Sequence, residues 1–291
     1  MTAVPCLYKY MSVDTARAVL TYSTLRWSTP ATFNDPADMQ LYLVLNVEDS
    51  VVVEEAIEFI ANAFCCETFK PLNEVGVMLN FLKASGIKLN KQQVEIEFGD
   101  TLMQCMRKLR KYLPTFNEEC INSLASSKIL CLSESPLIST MWAHYADDHR
   151  GVVLKFGTPD GVDSPWKLAR KITYSESPPN FASVNFLPKI LAGQAAFDVR
   201  ATTDLYIYYK SSEWQHEKER RLYSGDGRNS DASFEDVPFH PRELEEIIFG
   251  CRVTEGTIGE FSSLARIINP DVSIKLASLS GMKLELKPPP A

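Results

Sequence analysis

Short apolar runs typical of β-strands recur along the chain without a regular alternation with helices. Segments whose apolar residues follow helical spacing lie between some of them, as at residues 13–22 and 258–268. A parallel α/β fold needs a repeated strand–helix–strand unit, and this sequence has no such rhythm. The sequence therefore predicts an α+β fold built on small mixed or antiparallel sheets. The clearest strand-like runs are residues 7–10, 25–28, 128–133, 151–156 and 247–249.

The stretch from about residue 48 to 127 has a different character. Apolar residues recur there at intervals of three and four, and glycine and proline are sparse. We expect a single α+β domain over residues 1–291, with a helical insertion or subdomain at about 48–127 and a C-terminal α/β extension at about 238–287. The helices could cover a sheet or form a separate binding module. The residues expected to separate these helices are Pro71, Gly76, Gly86 and Pro114.

Composition limits the partners of this chain. The 291 residues carry a net charge of −7, which argues against a broad electrostatic footprint for nucleic acid. No apolar run approaches the roughly 18 residues of a membrane span, and residues 1–5 lack the basic start of a signal peptide. The seven cysteines include no Cys-x-x-Cys pair, so we expect free, buried, reduced thiols. These features predict a cytoplasmic protein with no membrane partner.

Two glutamates one residue apart, Glu217 and Glu219, are the strongest chemical signal in the sequence. Side chains alternate along a β-strand, so on a strand both carboxylates would point to one face, with Lys218 and Arg220 on the other. Two acids brought together in a cleft suit chemistry that passes through positive charge. If the segment is instead a helix, the glutamates diverge and form a solvated stripe with ordinary ion pairs. The sequence leaves both conformations open.

A second group of candidates begins with Ser133, a hydroxyl at the end of a predicted strand. Such a hydroxyl can bind a ligand or cap the next helix. His144 and Asp148 could share a helix face, but no third metal ligand has a matching spacing, so we expect no metal. His144 is interpreted as a cleft-lining residue, and Trp142 and Tyr145 as core or stacking residues.

The first two predicted strands place cations beside aromatic residues. Lys9 follows Tyr8 on the first, and Arg26 precedes Trp27 on the second. Arginine can hold a phosphate through two hydrogen bonds, and an aromatic face can stack a heteroaromatic ring, although packing alone also produces this pattern. The glycine-rich loops of P-loop and dinucleotide-binding proteins are absent from the sequence.

These motifs, in this order, resemble the bacterial domain-of-unknown-function family 2971. The family name carries no settled activity. The segments that carry the resemblance are residues 7–10, 25–28, 33–36, 132–135 and 141–146, followed by Trp214-x-x-Glu217-x-Glu219-x-Arg221.

The same series is also similar to the core of ADP-ribosyltransferases. In that fold an early strand carries Arg or His, a later strand ends in a serine motif, and a further strand carries Glu-x-Glu. Residues 132–135 match the serine strand and residues 217–219 the glutamate strand. Two positions depart from the pattern, since Lys9 or Arg26 would have to replace the early Arg or His and Glu134 replaces a threonine. The resemblance implies a split sheet around a central cleft.

That resemblance implies an enzyme that uses NAD as a substrate. Glu219 would hold the ribose hydroxyl and stabilise the oxocarbenium-like state, and Glu217 would orient or deprotonate the acceptor. Ser133 would position the ribose. The residues expected to contact the NAD-like molecule are Lys9, Tyr8, Arg26, Trp142, His144 and Tyr145.

Two other functions stay open at this stage. A non-catalytic sensor could retain the cleft for a nucleotide or peptide, and a metal-dependent nuclease or hydrolase could use His144, Asp148 and Glu217. A toxin or phage-defence role suits domains of this kind. The macromolecular acceptor is not indicated by the sequence.

Overall fold

The computed structural model of the chain describes residues 6–66 and 69–288. Residues 1–5, on which the expectation of no signal peptide rests, lie outside the described residues. The chain divides into two compact units. The first comprises the described parts of Met1–Asp38, Leu124–Glu176 and Lys210–Ala291, and the second comprises those of Met39–Ser123 and Ser177–Tyr209. The single domain with a helical insertion and a C-terminal extension stays a prediction.

Strands and helices are mixed along the chain, which confirms the predicted α+β class. In chain order they are β1 (Leu7–Met11), α1 (Val13–Tyr22), β2 (Thr24–Ser28), α2 (Asp49–Cys65), α3 (Glu74–Ala84), α4 (Lys91–Leu124), β3 (Ile129–Ser133), α5 (Ser139–Tyr145), β4 (Val152–Phe156), β5 (Arg170–Lys171), β6 (Thr173–Ser175), α6 (Leu187–Leu191), α7 (Val199–Ile207), β7 (Tyr209–Ser211), β8 (Glu219–Tyr223), β9 (Phe234–Pro238), β10 (Leu244–Phe249), α8 (Glu255–Ile268), β11 (Ser273–Ser280) and β12 (Lys283–Lys287).

An open mixed sheet forms the centre of the first unit. Its strands follow the order β12-β11-β10-β4-β1-β3-β2-β9, and β8 pairs with both β3 and β5. The β10–β11 pair is parallel, whereas β4 pairs antiparallel with both β1 and β10. The two short strands β6 and β7 form a separate pair.

The sheet divides beside β3. On one side of this strand, β8 pairs along its whole length, from Ile129 to Ser133. On the other side β1 meets β3 only at the Ser133 end, and β2 meets it only at the Ile129 end. Because β1 and β2 diverge between these two points, the middle of β3 is left without a strand partner on that side. The ammonium of Lys9 occupies part of this gap and donates a hydrogen bond to the Cys131 carbonyl, at 2.9 Å.

Apolar residues pack on both faces of the sheet, as the two-residue period of a strand requires. Leu154 and Ile247 pack in the cluster that contains residues of α1 and α8, and the neighbouring Val153 and Ile248 pack in the cluster that contains residues of α5. All four side chains are fully buried. This core fixes the register of the strands, because a shift by one residue would turn each apolar face toward the opposite side.

Helix α1 follows directly from its sequence signals. Ser12 accepts a hydrogen bond from the backbone N–H of Thr15, and Ser23 ends the helix in the left-handed region with φ 52°. Ala16, Val19 and Leu20 form its buried face. The predicted helix over residues 13–22 is therefore confirmed.

The second unit is helical, and two of the predicted helix breaks are wrong. Gly76 lies inside α3, where a Cβ atom would come within 2.3 Å of the Gly193 carbonyl, so it serves close packing of backbones. Helix α4 continues through Pro114. Pro114 lies on the exposed side of that helix, where solvent can satisfy the carbonyl that a proline leaves without an N–H partner.

The cysteines are free, as expected, but the prediction that they are buried is wrong for several of them. The exposed ones are Cys6, Cys65, Cys66 and Cys105. The helical spacing of apolar residues along α4 explains why Cys105 is exposed, since it falls between the buried residues Leu102 and Met106. In the part of the chain that the structure describes, no helix combines the length and apolarity needed to span a bilayer.

Candidate functional site

A cavity of about 260 Å³ opens where β1 and β2 diverge beside β3. Side chains from these three strands line it, together with Tyr145 of α5 and residues that follow β2. Lys210, Glu217 and Glu219 also line this cavity. The volume lies slightly below the range of about 300–1,000 Å³ that is typical of small-molecule sites.

Lys210 joins the two glutamates of the cavity. Its ammonium lies 2.7 Å from Oε2 of Glu217 and 3.0 Å from Oε2 of Glu219, and 3.3 Å from Oδ2 of Asp38. The Trp214 ring lies 5.0 Å away, close enough for a cation–π contact. Burial opposes the charge on Lys210, but the three carboxylates raise its pKa above the ordinary lysine value.

Arg221 holds the same acids from within the sheet. Its side chain is fully buried. Its Nε donates to Oε1 of Glu219 at 2.5 Å, and its Nη2 lies 3.1 Å from Oε2 of Glu219 and 2.5 Å from Oδ2 of Asp38. Burial alone would raise the pKa of Glu219, but Arg221 and Lys210 lower it to about 2. Glu219 is therefore a carboxylate at neutral pH.

The buried cluster has an excess of negative charge. Counted formally, its three carboxylates outnumber the cations of Lys210 and Arg221 by one. Asp38 is 4% exposed, and Glu217 and Glu219 are each 3% exposed. A buried charge without a counterion is costly, so this imbalance distinguishes the cluster from a neutral structural ion pair.

Tyr145 contacts the carboxylate oxygen of Glu217 that Lys210 does not bind. Its hydroxyl donates to Oε1 of Glu217 at 2.6 Å and accepts a hydrogen bond from Nδ2 of Asn34 at 2.8 Å. Burial and the neighbouring Glu217 raise the pKa of Tyr145, which keeps its proton available for donation. Tyr145 thus acts in this cavity through its hydroxyl group, in addition to any stacking surface its ring provides.

The acids differ in how many hydrogen bonds they can still accept. A carboxylate offers about four lone-pair positions. Glu219 accepts two hydrogen bonds from Arg221 and one from Lys210. Glu217 accepts one from Tyr145 and one from Lys210. Among the hydrogen bonds of the described residues, then, Glu217 accepts fewer than Glu219 and keeps more acceptor positions open.

The two glutamates meet through a turn, and the glutamate strand implied by the resemblance contains Glu219 but not Glu217. Glu217 ends the 3-10 helix Ser212–Glu217, and Glu219 begins β8. Lys218 between them has φ 48°, a left-handed conformation that ends the helix and redirects the chain. Ser133 holds this turn in place, since its hydroxyl donates to the Glu217 carbonyl at 2.7 Å. Ser133 is 1% exposed, and this bond gives it a backbone partner as well as a place in the cavity lining.

The residues predicted on the first two strands also line the cavity. Tyr8 is half-buried there, and burial raises its pKa. Arg26 is more than half exposed and forms two hydrogen bonds to the Asp236 carboxylate, at 3.0 and 3.1 Å. Its guanidinium also lies 3.6 Å from the Phe234 ring centre. Both cations, Lys9 and Arg26, therefore have protein partners.

Trp142 and His144 do not line the cavity. Trp142 is fully buried, packs edge-on against Tyr10 and donates its indole N–H to the Pro136 carbonyl, so its ring has no free face for a ligand. His144 is exposed, as is Asp148. Helix α5 ends at Tyr145, so the helix face predicted to join His144 with Asp148 does not exist. Within the described residues, no group of three or more metal-ligating side chains is placed to hold a metal ion.

Sequence reasoning missed Lys210, Asp38 and Asn34. Lys210 could have been sought, because two buried acids require a nearby cation. Asn34 lies in the segment 33–36 of the family resemblance but gave no sign of its contact with α5. Asp38 resembles any acidic residue after a turn, and only the folded chain brings it to β8.

Fold and site together define an α+β protein with a small, partly buried cavity, lined by charged side chains, at the division of its sheet. A family model described as "Protein of unknown function (DUF2971)" matches residues 141–222. The resemblance predicted from the motifs is confirmed over these residues, which include Tyr145, Lys210 and both glutamates. No curated protein and no solved structure matched the chain. The resemblance to ADP-ribosyltransferases stays a prediction.

Proposed function

We propose that the cavity binds NAD and that the protein is an ADP-ribosyltransferase-like enzyme. The observation that carries this proposal is the excess negative charge of the buried cluster, with open acceptor positions on Glu217. Cleavage of the bond between nicotinamide and ribose develops positive charge on the ribose, and a fixed carboxylate beside that centre lowers the barrier.

The contacts favour a division of roles that differs from the one implied by the resemblance. Glu217 is better suited to act on the substrate, because Tyr145 and Lys210 orient its carboxylate and leave part of it free. Glu219 is better suited to hold Lys210 and Arg221 in place. Glu217 would then stabilise the oxocarbenium-like state, and Glu219 would be a positioning residue.

The proposed reaction breaks one bond of NAD and forms one new bond at the ribose. The carbon–nitrogen bond between ribose and nicotinamide breaks, and its electron pair leaves with nicotinamide, which becomes neutral. A nucleophile with an O–H or N–H group then bonds to the ribose carbon and transfers its proton to the Glu217 carboxylate. The cavity volume suits the nicotinamide riboside end of NAD, and its open side leaves room for the rest.

Incubation with labelled NAD, with and without cell lysate or nucleic acid, tests the proposal. We expect release of nicotinamide and label on an acceptor. Glu217→Gln should lower the rate by about 10²–10³-fold, because it removes a preorganised charge at the reacting centre. Glu213→Gln is the matched control, since Glu213 lies in the same 3-10 helix but is exposed. An unchanged rate of NAD cleavage in Glu217→Gln would refute the role of Glu217.

A non-catalytic nucleotide sensor is the second candidate. The three hydrogen bonds that Glu219 accepts from Arg221 and Lys210 favour it, since a buried acid held by two cations of the protein can serve binding geometry without taking part in a reaction. The same assay separates the two functions. Saturable NAD binding without release of nicotinamide, under any acceptor condition, would support the sensor.

A further inference from the structure

One carboxylate oxygen of the buried cluster has no donor among the described residues. Oδ2 of Asp38 accepts from Arg221 and faces Lys210, whereas Oδ1 is buried and unpaired. Leaving a buried acceptor without a hydrogen bond destabilises the fold, and more so when the group is charged. Asp38 also lines the cavity. An unpaired acceptor in that position indicates a donor that arrives with a ligand.

The other charges of the cavity do not supply this donor. The ammonium of Lys9 is bound to the Cys131 carbonyl, and the guanidinium of Arg26 is bound to Asp236. The unpaired oxygen thus belongs to a carboxylate of the cluster in which the acids outnumber Lys210 and Arg221 by one. A ligand group that carries both an N–H donor and positive charge would satisfy both at once.

We infer that Asp38 is the specificity-determining residue of the cavity and that it selects an aromatic ring bearing a cationic or amide N–H group. The aromatic part is argued from the cavity lining, which includes Tyr8, Phe33 and Tyr145. This inference rests on the proposed function only where NAD is concerned, since the carboxamide and the positively charged ring of nicotinamide belong to this class. The selection itself applies to any ligand of the cavity.

Three probes that share a ring and differ in one group test the inference. Benzamidine carries a cationic N–H donor, benzamide a neutral N–H donor, and benzoate a negative charge without a donor. In ligand-observed NMR titrations of the wild-type protein, we expect benzamidine to bind most tightly, benzamide next and benzoate least. Benzoate binding as tightly as benzamidine, or the absence of benzamidine binding, would overturn the inference.

Asp38→Asn is the decisive variant. The amide oxygen of asparagine can keep the contacts with Arg221 and Lys210, while its NH₂ replaces the Oδ1 acceptor with a donor. We expect benzamidine affinity to fall about tenfold or more, as the loss of a charge-assisted hydrogen bond implies, and benzoate affinity to rise. Glu217→Gln is the control, because it removes the same formal charge without changing Oδ1. An equal or larger loss in Glu217→Gln would mean that the overall field or the open acceptor positions of Glu217 select the ligand, and the assignment to Asp38 would be wrong.

These outcomes are independent of the NAD assay. Failure of the wild-type protein to bind or cleave NAD, with the predicted probe order intact, would refute the proposed function and leave Asp38 assigned. NAD cleavage without a preference for benzamidine would support the proposed function and refute the assignment to Asp38. If Asp38→Asn does not accumulate as folded protein, Asp38→Glu takes its place, because it keeps the charge and moves the unpaired oxygen; unchanged benzamidine affinity in that variant would overturn the assignment to Asp38.

Discussion

Lys210 is the residue on which the candidate site depends, because it binds three carboxylates that would otherwise repel one another. Its ammonium is the shared partner of Asp38, Glu217 and Glu219. Lys210→Met keeps most of the apolar stem and removes the charge. We expect a loss of about 3–5 kcal/mol in the free energy of unfolding, measured by urea denaturation, since it leaves buried charges uncompensated.

The control for Lys210→Met is Lys167→Met, at an exposed position of the first unit. That variant should change stability by less than about 0.5 kcal/mol. If the two variants have similar stabilities, the buried cluster does not have the energetic role that its geometry indicates.

Tyr145 differs from Lys210 because it fixes the direction of an acid without compensating its charge. Tyr145→Phe removes the hydrogen bond to Glu217 and preserves the ring. On the proposed function, we expect the rate of NAD cleavage to fall about tenfold, since a hydrogen bond to a charged group contributes about 1.5–3 kcal/mol. Tyr112→Phe is a matched control, because Tyr112 makes an equally short contact with Glu119 on the surface of the second unit. A parallel loss in both variants would point to a general effect on stability.

At the scale of the element, the turn between the 3-10 helix and β8 brings the two glutamates together. Lys218 has φ 48°, which glycine adopts freely and β-branched residues strongly resist. We expect Lys218→Gly to leave stability unchanged or to raise it by up to about 1 kcal/mol, and Lys218→Val to lower it by about 1–2 kcal/mol. Thermal unfolding of both variants measures the difference.

Lys171 supplies the reverse control for Lys218, because it is an exposed lysine on the strand β5. There Lys171→Gly should destabilise the protein, and Lys171→Val should be tolerated, since valine favours extended backbone. The same order of stabilities at both positions would contradict the argument that the left-handed turn determines how the acids converge.

Elements with strong local signals could be predicted from the sequence. Apolar spacing after Ser12 predicted the observed bounds of α1. The apolar runs located β3 and β4 to within one residue and β10 to within three. Strand β9 was missed because its alternation of exposed and partly buried residues carries no apolar run. The turn at Lys218 was missed for a related reason, since lysine gives no sequence signal for a left-handed conformation.

At the scale of the whole molecule, the site depends on strand pairing that no local pattern encodes. The convergence of Glu217 and Glu219 with Ser133 was implied by the resemblance to ADP-ribosyltransferases, and all three residues line the cavity. The divergence of β1 and β2 beside β3, and the arrival of Asp38 at Arg221, involve residues far apart in sequence. Pairing over such separations is determined by the complete fold.

Acid stability tests the buried cluster in the intact protein. The pKa of Glu219 is lowered to about 2 in the folded state, below the ordinary value of 4.5, so its ionised form stabilises the fold. That contribution is fully present above about pH 4.5 and is lost as the pH falls toward 2. Glu219→Gln lacks it at every pH, so we expect the variant to be less stable at pH 7, with a difference that shrinks between pH 4.5 and 2. Urea denaturation across this range measures the difference, and Glu213→Gln should follow the wild-type curve. A constant gap between wild type and Glu219→Gln would mean that the ionised acid is not what Arg221 and Lys210 hold in the folded protein.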